Sequence, residues 1–322
     1  MDNVYKIYFF GLIFFNFIHH NKITIFAIMK IELHQIFNSL YKDTNIKVFI
    51  KRLDLIESDI SGNKYFKLKY NIKEVISKGY NKIVTFGGAF SNHILASSII
   101  AKNNNLLSIG IIRGEAHHPL NATLKKATLN GMKLIYISRS EYKLKESKKF
   151  TENIYDLYGD CYIIPEGGTN DLAIKGTGDI ITDHDDYDYI CCPVGTGGTI
   201  AGIINTSNSN QRVLGFPAIK GFDTLNDNIN LWSNKDNWTL IDKYNFGGYA
   251  RFNNDLIDFI KDFYLNHNIP LDLIYTSKMI YGVNDLIRNN RINSNSSVLL
   301  IHTGGLQGNI GMNDRYNLNL PI

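Results

Sequence analysis

One lysine in this 322-residue chain follows a turn that would hold it in place. It closes the motif Ser61-Gly62-Asn63-Lys64, directly before a helical pattern. A lysine fixed in this way, with its amine partly deprotonated, can attack a carbonyl carbon and form a Schiff base. The simpler interpretation is a surface lysine near a helix N-terminus, and the motif alone favours it.

A glycine-rich motif, Gly195-Thr196-Gly197-Gly198-Thr199, lies between a strand pattern and a helix pattern. Glycines let the backbone approach an anion, and the free amides of a helix N-terminus bind phosphate. The motif lacks the Gly-Lys-Ser/Thr of a nucleoside-triphosphate loop and does not match G-x-G-x-x-G. It therefore favours a monophosphate over a dinucleotide, and a tight turn that merely requires glycine is the alternative.

A second glycine motif, Gly87-Gly88-Ala89-Phe90-Ser91-Asn92-His93, also joins a strand pattern to a helix pattern. The hydroxyl of Ser91, the amide of Asn92 and the neighbouring backbone amides could bind a carboxylate. The alternative is that Ser91 is a plain helix N-cap.

Two motifs in the C-terminal part add polar groups. In Tyr275-Thr276-Ser277-Lys278, a tyrosine in a polar loop could transfer protons if a neighbouring cation lowers its pKa, although most tyrosines are structural. In His302-Thr303-Gly304-Gly305, Thr303 follows a strand pattern, where it would face the ligand crevice of an open sheet. Its hydroxyl could bond a ring nitrogen.

The elements that position these motifs alternate between short apolar runs and helical periodicities, which is typical of a parallel α/β protein. We predict strands at residues 47–52, 82–86, 107–112, 133–137, 161–165, 187–193, 213–216 and 297–302. We predict helices at residues 65–78, 91–100, 122–130 and 142–157, and one that starts at 199. Residues 223–243, which contain both tryptophans, are predicted to be irregular or short-helical.

Composition excludes several classes of protein. With 44% hydrophobic and 20% charged residues, a packed core is expected. The net charge of +4 includes no basic block with interleaved aromatics, so nucleic-acid binding is not indicated. Cys161, Cys191 and Cys192 suggest buried thiols in a reducing compartment rather than disulfides. Neither they nor the histidines show zinc spacing, so no metal is expected.

The first 28 residues differ from the rest of the chain. Residues 8–18 form an apolar run of 11 residues, whereas a bilayer span needs about 20. No basic start or small-residue cleavage site accompanies it, as a signal peptide would require. We therefore expect residues 1–28 to be a non-native or disordered leader from an over-extended gene start, on a cytoplasmic protein. A membrane anchor or an export signal is the alternative.

Taken together, the motifs resemble the ACC deaminase/D-cysteine desulfhydrase family, where ACC is 1-aminocyclopropane-1-carboxylate. These are fold type II enzymes that use pyridoxal 5'-phosphate (PLP). The resemblance runs from residue 51 to residue 312. It rests on the segments KRLDLIESDISGNKYFKLKYN, GGAFSNH, IPEGGTN, PVGTGGTIAG, YTSKMIYG and IHTGGLQG.

This resemblance assigns roles to individual residues. It implies catalytic roles for Lys64, which would carry the cofactor, and for Ser91 and Tyr275. The implied cofactor-binding residues are Lys64, Asn92, Gly195, Thr196, Gly197, Gly198, Thr199 and Thr303, with Thr303 at the pyridine nitrogen. The implied substrate-binding residues are Phe90, Ser91, Asn92, Tyr249 and Tyr275.

The resemblance also implies two open, twisted parallel-sheet domains with the cofactor in the cleft between them. The small inserted domain would span residues 79–165. The large PLP-binding domain would combine residues 29–78 and 166–322. Homodimers are common in the family, so a homodimer is expected, with a small amino acid as substrate and no membrane partner for the mature domain.

Two positions bear on the substrate. ACC deaminases typically have glutamate after the loop tyrosine, where this chain has Thr276, and an apolar residue in place of Thr303. Both positions resemble the D-cysteine desulfhydrase branch, which implies β-elimination from D-cysteine to pyruvate, ammonia and sulfide. Phe90 replaces the usual glutamine and leaves another D-amino acid or a β-substituted alanine open. The alternatives are ACC deaminase or another PLP lyase, a PLP-binding protein without turnover, and a nucleotide-binding α/β protein.

Overall fold

The computed structural model describes residues 6–7, 31–56, 60 and 62–322. The expected leader at residues 1–28 therefore lies outside the described residues, apart from residues 6–7. Within the described ranges, no helix combines the length and the apolar character that a bilayer-spanning segment requires.

The described chain is a mixed α/β protein, as predicted. Its strands are β1 Lys6–Ile7, β2 Glu32–Ile36, β3 Lys47–Arg52, β4 Lys82–Gly87, β5 Leu107–Arg113, β6 Lys133–Ile137, β7 Tyr162–Ile164, β8 Tyr189–Val194, β9 Arg212–Pro217, β10 Trp238–Leu240 and β11 Ser297–His302. Its α-helices are α1 Ser39–Asp43, α2 Asn63–Ser77, α3 Asn92–Asn103, α4 Ala122–Leu129, α5 Arg139–Tyr142, α6 Lys148–Tyr158, α7 Asp171–Gly178, α8 Gly198–Thr206, α9 Phe222–Trp232, α10 Asn254–His267, α11 Thr276–Arg288 and α12 Gln307–Tyr316.

The larger sheet has the strand order β1-β2-β3-β11-β8-β9-β10. It is parallel from β3 to β10, and β1 and β2 add antiparallel at one edge. Five of the six residues of the central strand β11 are buried, because hydrophobic clusters pack on both faces of the sheet. A continuous apolar run is what a parallel strand covered on both sides requires.

The smaller sheet is parallel, with the order β6-β5-β4-β7. All four of its strands fall between residues 82 and 164. The predicted motifs follow the carboxyl ends of β4, β8 and β11, which is where ligands bind in open α/β sheets. The exact domain boundaries stay a prediction.

Two of the predictions need correction. The helix predicted at residues 142–157 begins only at residue 148, as α6, because Ser147 caps it by accepting a bond from Phe150 N at 3.3 Å, and Tyr142 is the last residue of α5. Residues 223–243, predicted to be irregular or short-helical, contain most of the helix α9, as the second alternative allows, and also the edge strand β10, which was not predicted. The buried residues Leu225 and Ile229 lie one helical turn apart, and this pattern was hidden among polar neighbours.

Close packing of three helices, α2, α7 and α8, supports the glycine-rich motif after β8. A Cβ atom on Gly176 of α7 would collide with Phe66 O of α2. One on Gly202 of α8 would collide with Thr177 of α7. Glycine at both positions therefore lets the helices approach closely and places α2 beside the start of α8. As predicted, all three cysteines are buried and free.

Candidate active site

A cavity of about 450 Å³ lies between the carboxyl ends of the two sheets. It brings together almost all of the predicted site residues: Lys64, Phe90, Ser91, Asn92, Gly195, Thr196, Gly197, Thr199, Tyr249, Tyr275 and Thr303. Gly198 does not line the cavity and is the first, buried residue of α8. The grouping is geometric, and the role of each residue stays a prediction.

The turn that presents Lys64 is held against the end of β11. Gly62 has a φ of 76°, and a Cβ atom there would collide with Thr303 O. Gly62 N donates to Leu53 O at 2.8 Å, and Asn63 N donates to Thr303 O at 3.2 Å. Glycine is needed at position 62 for its backbone conformation and for this close approach. The turn therefore fixes Lys64 in the second position of α2.

The side chain of Lys64 is half-buried and lines the cavity. Burial lowers the pKa of Lys64 to about 8. Its Nζ atom has a weak contact with Asn63 Oδ1 at 3.4 Å. About a tenth of the amine is therefore neutral at pH 7, far more than for an ordinary lysine, and the neutral form is the one that attacks a carbonyl carbon.

The loop from Gly195 to Thr199 leads into α8. No side chain of the N-cap residue accepts a hydrogen bond from the backbone amides at the start of this helix. Gly197 has a φ of 90° at the N-cap position. Thr199 accepts a bond from Asn63 Nδ2 at 2.8 Å, which ties this loop to the Lys64 turn. The arrangement is an anion site at a helix N-terminus.

A second lysine, Lys67, was missed by the sequence reasoning. It lies one helical turn after Lys64 and is only 2% exposed. Its Nζ atom donates to Gly167 O at 3.0 Å, Thr169 Oγ1 at 2.8 Å and Thr196 Oγ1 at 3.2 Å. Burial, and then the charge of Lys64, hold the pKa of Lys67 well below its usual value. A phosphate in the adjacent loop would supply an anionic partner and favour the protonated form of this amine.

Ser91 caps α3, and its Oγ atom accepts from Ile94 N at 3.3 Å. The capping interpretation is thus correct, and the hydroxyl proton stays available to a ligand in the cavity. Asn92 accepts from Gln307 Nε2 at 2.9 Å through its Oδ1 atom. Its amide NH₂ group therefore keeps its donors.

His93, the last residue of the second glycine motif, bonds a strand and not the turn of Ser91 and Asn92. Thr85 of β4 donates to Ile164 O at 2.9 Å, so its hydroxyl accepts from His93 Nε2 at 2.7 Å. Burial, followed by the charges of Lys64 and Lys67, holds the pKa of His93 well below its usual value. His93 is therefore a neutral ring fixed at the wall of the cavity.

Tyr275 does not lie in a polar loop, so that prediction was wrong. It is the N-cap residue of α11, and the three residues after it are buried in the first helical turn. Asp272 holds this turn, because its carboxylate accepts from the backbone amides of Ile274, Tyr275 and Thr276 at 2.8 to 3.0 Å.

The protonation of Tyr275 also differs from the prediction. Burial raises the pKa of Tyr275 well above its usual value, and the nearby Tyr249, Asp272 and Glu166 raise it further. No lowering by a cation occurs. The phenol stays protonated at neutral pH and acts as a hydrogen-bond donor. The ring of Tyr249 meets that of Tyr275 edge to face, with centroids 6.3 Å apart.

Thr303 lies at the end of β11 and is supported by a buried network that the sequence did not indicate. His302 Nε2 donates to Pro270 O at 2.8 Å, and its Nδ1 lies 3.2 Å from Asp54 Oδ1. Asp54 in turn accepts two bonds from Arg52 at 2.6 and 2.8 Å. The network fixes the strand end that also accepts the bond from Asn63 N.

Arg113 and Glu166 also line the cavity and were missed by the sequence reasoning. Arg113 is the last residue of β5, and its position at a strand end was the signal that could have revealed it. Phe90, another lining residue, packs its ring 3.2 Å from the place that a Cβ atom on Gly311 would occupy.

Comparison with known proteins identifies the family. A family model described as "Pyridoxal-phosphate dependent enzyme" matches residues 31–304. The chain belongs to this family. The expected fold class and the expected cofactor, PLP, are thereby confirmed.

Individual relatives place the chain in the group suggested by its motifs. It is 29% identical over 299 residues to a putative ACC deaminase of Thermotoga maritima, covering 85% of this chain and 93% of that protein. It is 27% identical over 292 residues to the bifunctional D-cysteine desulfhydrase/ACC deaminase of Arabidopsis thaliana, covering 81% and 73%. A solved structure of an ACC deaminase homologue has a TM-score of 0.77 at 25% identity, covering 87% and 91%. The predicted ACC deaminase/D-cysteine desulfhydrase family is therefore correct.

The residues in the cavity fit PLP. The lysine amine that would bind the PLP aldehyde is partly neutral, and the amides at the start of α8 offer donors to its phosphate. Lys67 adds a buried cation next to the same loop. Thr303 brings a hydroxyl to the same cavity, and its assignment to the pyridine nitrogen stays a prediction.

Proposed function

We propose that this PLP-dependent enzyme catalyses β-elimination from D-cysteine or a related D-amino acid, giving pyruvate, ammonia and sulfide. The observation that carries the proposal is the hydroxyl of Thr303, at the strand end beside Lys64. Among the described residues, the one carboxylate that lines the cavity is Glu166, which lies within 3.3 Å of Lys145. A hydroxyl does not hold a pyridine nitrogen protonated as a carboxylate would, so the cofactor is a weaker electron sink. Loss of a good β-leaving group suits such a sink.

Bound PLP would withdraw electrons from the substrate α-carbon and acidify its α-proton. The free amine of Lys64, with a pKa of about 8, can accept that proton near neutral pH. Ser91 is the second candidate base. Tyr275, whose phenol stays protonated and lines the cavity, would donate a hydrogen bond to a departing thiolate.

Recognition of the substrate carboxylate falls to the start of α3 in this proposal. The Ser91 hydroxyl and the Asn92 amide both have donors left after their bonds within the protein. Phe90, which also lines the cavity, has an aromatic ring where the resemblance to the family predicts the polar side chain of glutamine. We infer a preference for a short substrate side chain with an apolar or sulfur-containing end.

ACC deamination is the second candidate, and the names of the relatives in Thermotoga and Pyrococcus favour it. Thr276 does not decide between the two. Its side chain is completely buried and does not line the cavity, so it makes no direct substrate contact. The preference for β-elimination therefore rests on Thr303.

A substrate panel on the purified holoenzyme tests the proposal. D-cysteine, L-cysteine, D-serine and ACC are assayed in parallel for the 2-oxo acid released, which is pyruvate from the cysteines and serine and the four-carbon 2-oxobutyrate from ACC, and sulfide is measured for the cysteines. We expect the highest kcat/KM with D-cysteine and one sulfide per pyruvate. 2-Oxobutyrate and ammonia from ACC together with no pyruvate from D-cysteine would select the second candidate. A yellow protein without any product would be a PLP-binding protein without turnover.

We also infer from the family resemblance that the enzyme is a cytoplasmic homodimer, with a small domain at residues 79–165 inserted into the large one. Light scattering on the purified holoenzyme measures the oligomeric state, and a monomeric mass would contradict the dimer.

A further inference from the structure

A buried lysine outside the cavity, Lys278, joins the first turn of α11 to the loop that carries Tyr249. Lys278 is 1% exposed. Its Nζ atom donates to Asn245 O at 2.8 Å and to Gly248 O at 2.9 Å. Burial of an ammonium group costs free energy unless hydrogen bonds compensate for the lost water. The hydrogen bonds to these two carbonyls therefore compensate for the burial of the Lys278 ammonium group.

The carbonyls belong to two consecutive four-residue turns. Gly248 N donates to Asn245 O at 3.0 Å and closes the first turn, and Arg251 N donates to Gly248 O at 3.2 Å and closes the second. Lys278 binds the first carbonyl of each turn. Tyr249 is the second residue of the second turn, so this lysine fixes the backbone on both sides of the turn that presents the tyrosine ring.

The loop needs such support because its backbone is unusual. Phe246 and Ala250 both have a φ of 54°, and Gly247 and Gly248 have φ values of 93° and 116°. A left-handed conformation costs a non-glycine residue about 1–2 kcal/mol. Two such residues within five positions would make the isolated loop unstable in this form. Contacts from outside the loop must therefore hold it.

The same helical turn also fixes the partner of Tyr249. Tyr275 caps α11 three residues before Lys278, and its ring meets that of Tyr249 at an angle of 67°. Both rings line the cavity. The first turn of α11 thus places one tyrosine directly and the other through the ammonium group of Lys278.

We propose that Lys278 is a positioning residue for substrate binding, which holds the turns of the Tyr249 loop so that the Tyr249 ring stays against Tyr275. The proposal rests on the proposed function for the link between these tyrosines and the substrate. The holding of the loop itself is testable without any substrate.

The test compares Lys278→Met with a matched control, Lys220→Met. Lys220 is an exposed lysine beside the same loop, with its Cγ atom 3.4 Å from the place of a Cβ atom on Gly248. Hydrogen–deuterium exchange of the holoenzyme is followed at residues 246–251. We expect exchange there to rise by at least about 10-fold in Lys278→Met, the equivalent of one charged hydrogen bond. Lys220→Met should exchange like the wild type.

Steady-state kinetics with D-cysteine and with ACC form the second measurement. We expect Lys278→Met to raise KM by about 10-fold while kcat changes less, because the reacting groups stay in place. In a Tyr249→Ala background, adding Lys278→Met should not raise KM further, since Lys278 acts through Tyr249. A merely structural role would raise KM equally in both backgrounds.

The outcomes separate the proposals. Unchanged exchange at residues 246–251 in Lys278→Met would overturn the holding of the loop. Faster exchange with unchanged KM would overturn the role in substrate binding. If the wild type turns over neither D-cysteine nor ACC, the proposed function fails, whereas the exchange measurement still decides whether Lys278 holds the loop. Should Lys278→Met not fold, Lys278→Gln, which keeps a polar group but loses charge and reach, undergoes the same measurements.

Discussion

Replacing Lys67 with methionine removes the buried cation beside the phosphate loop while keeping the volume of the side chain. Lys67 now bonds three uncharged oxygens, one of them Thr196 Oγ1 of the loop itself. A hydrogen bond to a charged group contributes about 1.5–3 kcal/mol. We therefore expect the Kd for PLP to rise by about 10- to 150-fold in Lys67→Met.

The assay is a PLP titration of the apoprotein, followed by absorbance. Lys78→Met, which changes an exposed lysine at the end of the same helix, is the control and should bind PLP like the wild type. Because burial holds the pKa of Lys67 low, a bound phosphate would raise that pKa and the protein would take up a proton. Calorimetry in two buffers measures this uptake, which Lys67→Met should lose. An unchanged Kd in Lys67→Met would exclude Lys67 from phosphate binding.

Three further predictions concern the Lys64 turn and its neighbours. Burial lowers the pKa of Lys64 to about 8, so the rate of PLP association with the apoprotein should rise with pH up to about 8 and then level off. Stopped-flow absorbance measures this rate, and a rate that does not change between pH 6 and 9 would contradict the lowered pKa. Gly62→Ala should lower both the free energy of unfolding and the affinity for PLP. Gly79→Ala, at a similar φ of 73° but with open space around it, should lower the free energy of unfolding by only about 1 kcal/mol, the cost of backbone strain. Equal losses of stability in denaturant unfolding would disprove the clash with Thr303. Thr303→Val keeps the shape of the side chain and should lower kcat for D-cysteine by about 10-fold, the effect of one hydrogen bond, with little change in folding; an unchanged kcat would remove Thr303 from the mechanism.

The parts of the site that could be predicted from the sequence are those with a local signal. Glycines at helix starts, such as Gly62 and Gly197, mark backbone conformations that other residues rarely adopt, and the motifs around them line the cavity. Ser91 was recognised as a helix cap because a serine directly before a helical pattern is also a local signal. The resemblance of the combined motifs to a known family then indicated that the cofactor is PLP.

The parts that could not be predicted depend on contacts between distant segments. Lys67 reaches Gly167 and Thr196, which lie 100 and 129 positions later in the chain. Lys278 bonds a loop about 30 residues before it. The lowered pKa that proton transfer by Tyr275 would require does not occur, because burial, which raises this pKa, is a property of the folded chain.

The identity of the lysine that binds PLP can be measured on the holoenzyme. The holoenzyme is reduced with borohydride, which fixes PLP to the lysine that binds it, and the labelled peptide is fragmented in a mass spectrometer. We predict that the phosphopyridoxyl group lies on Lys64 and that Lys64→Ala carries none. A label on Lys67, or on any other lysine, would show that Lys64 does not carry the cofactor.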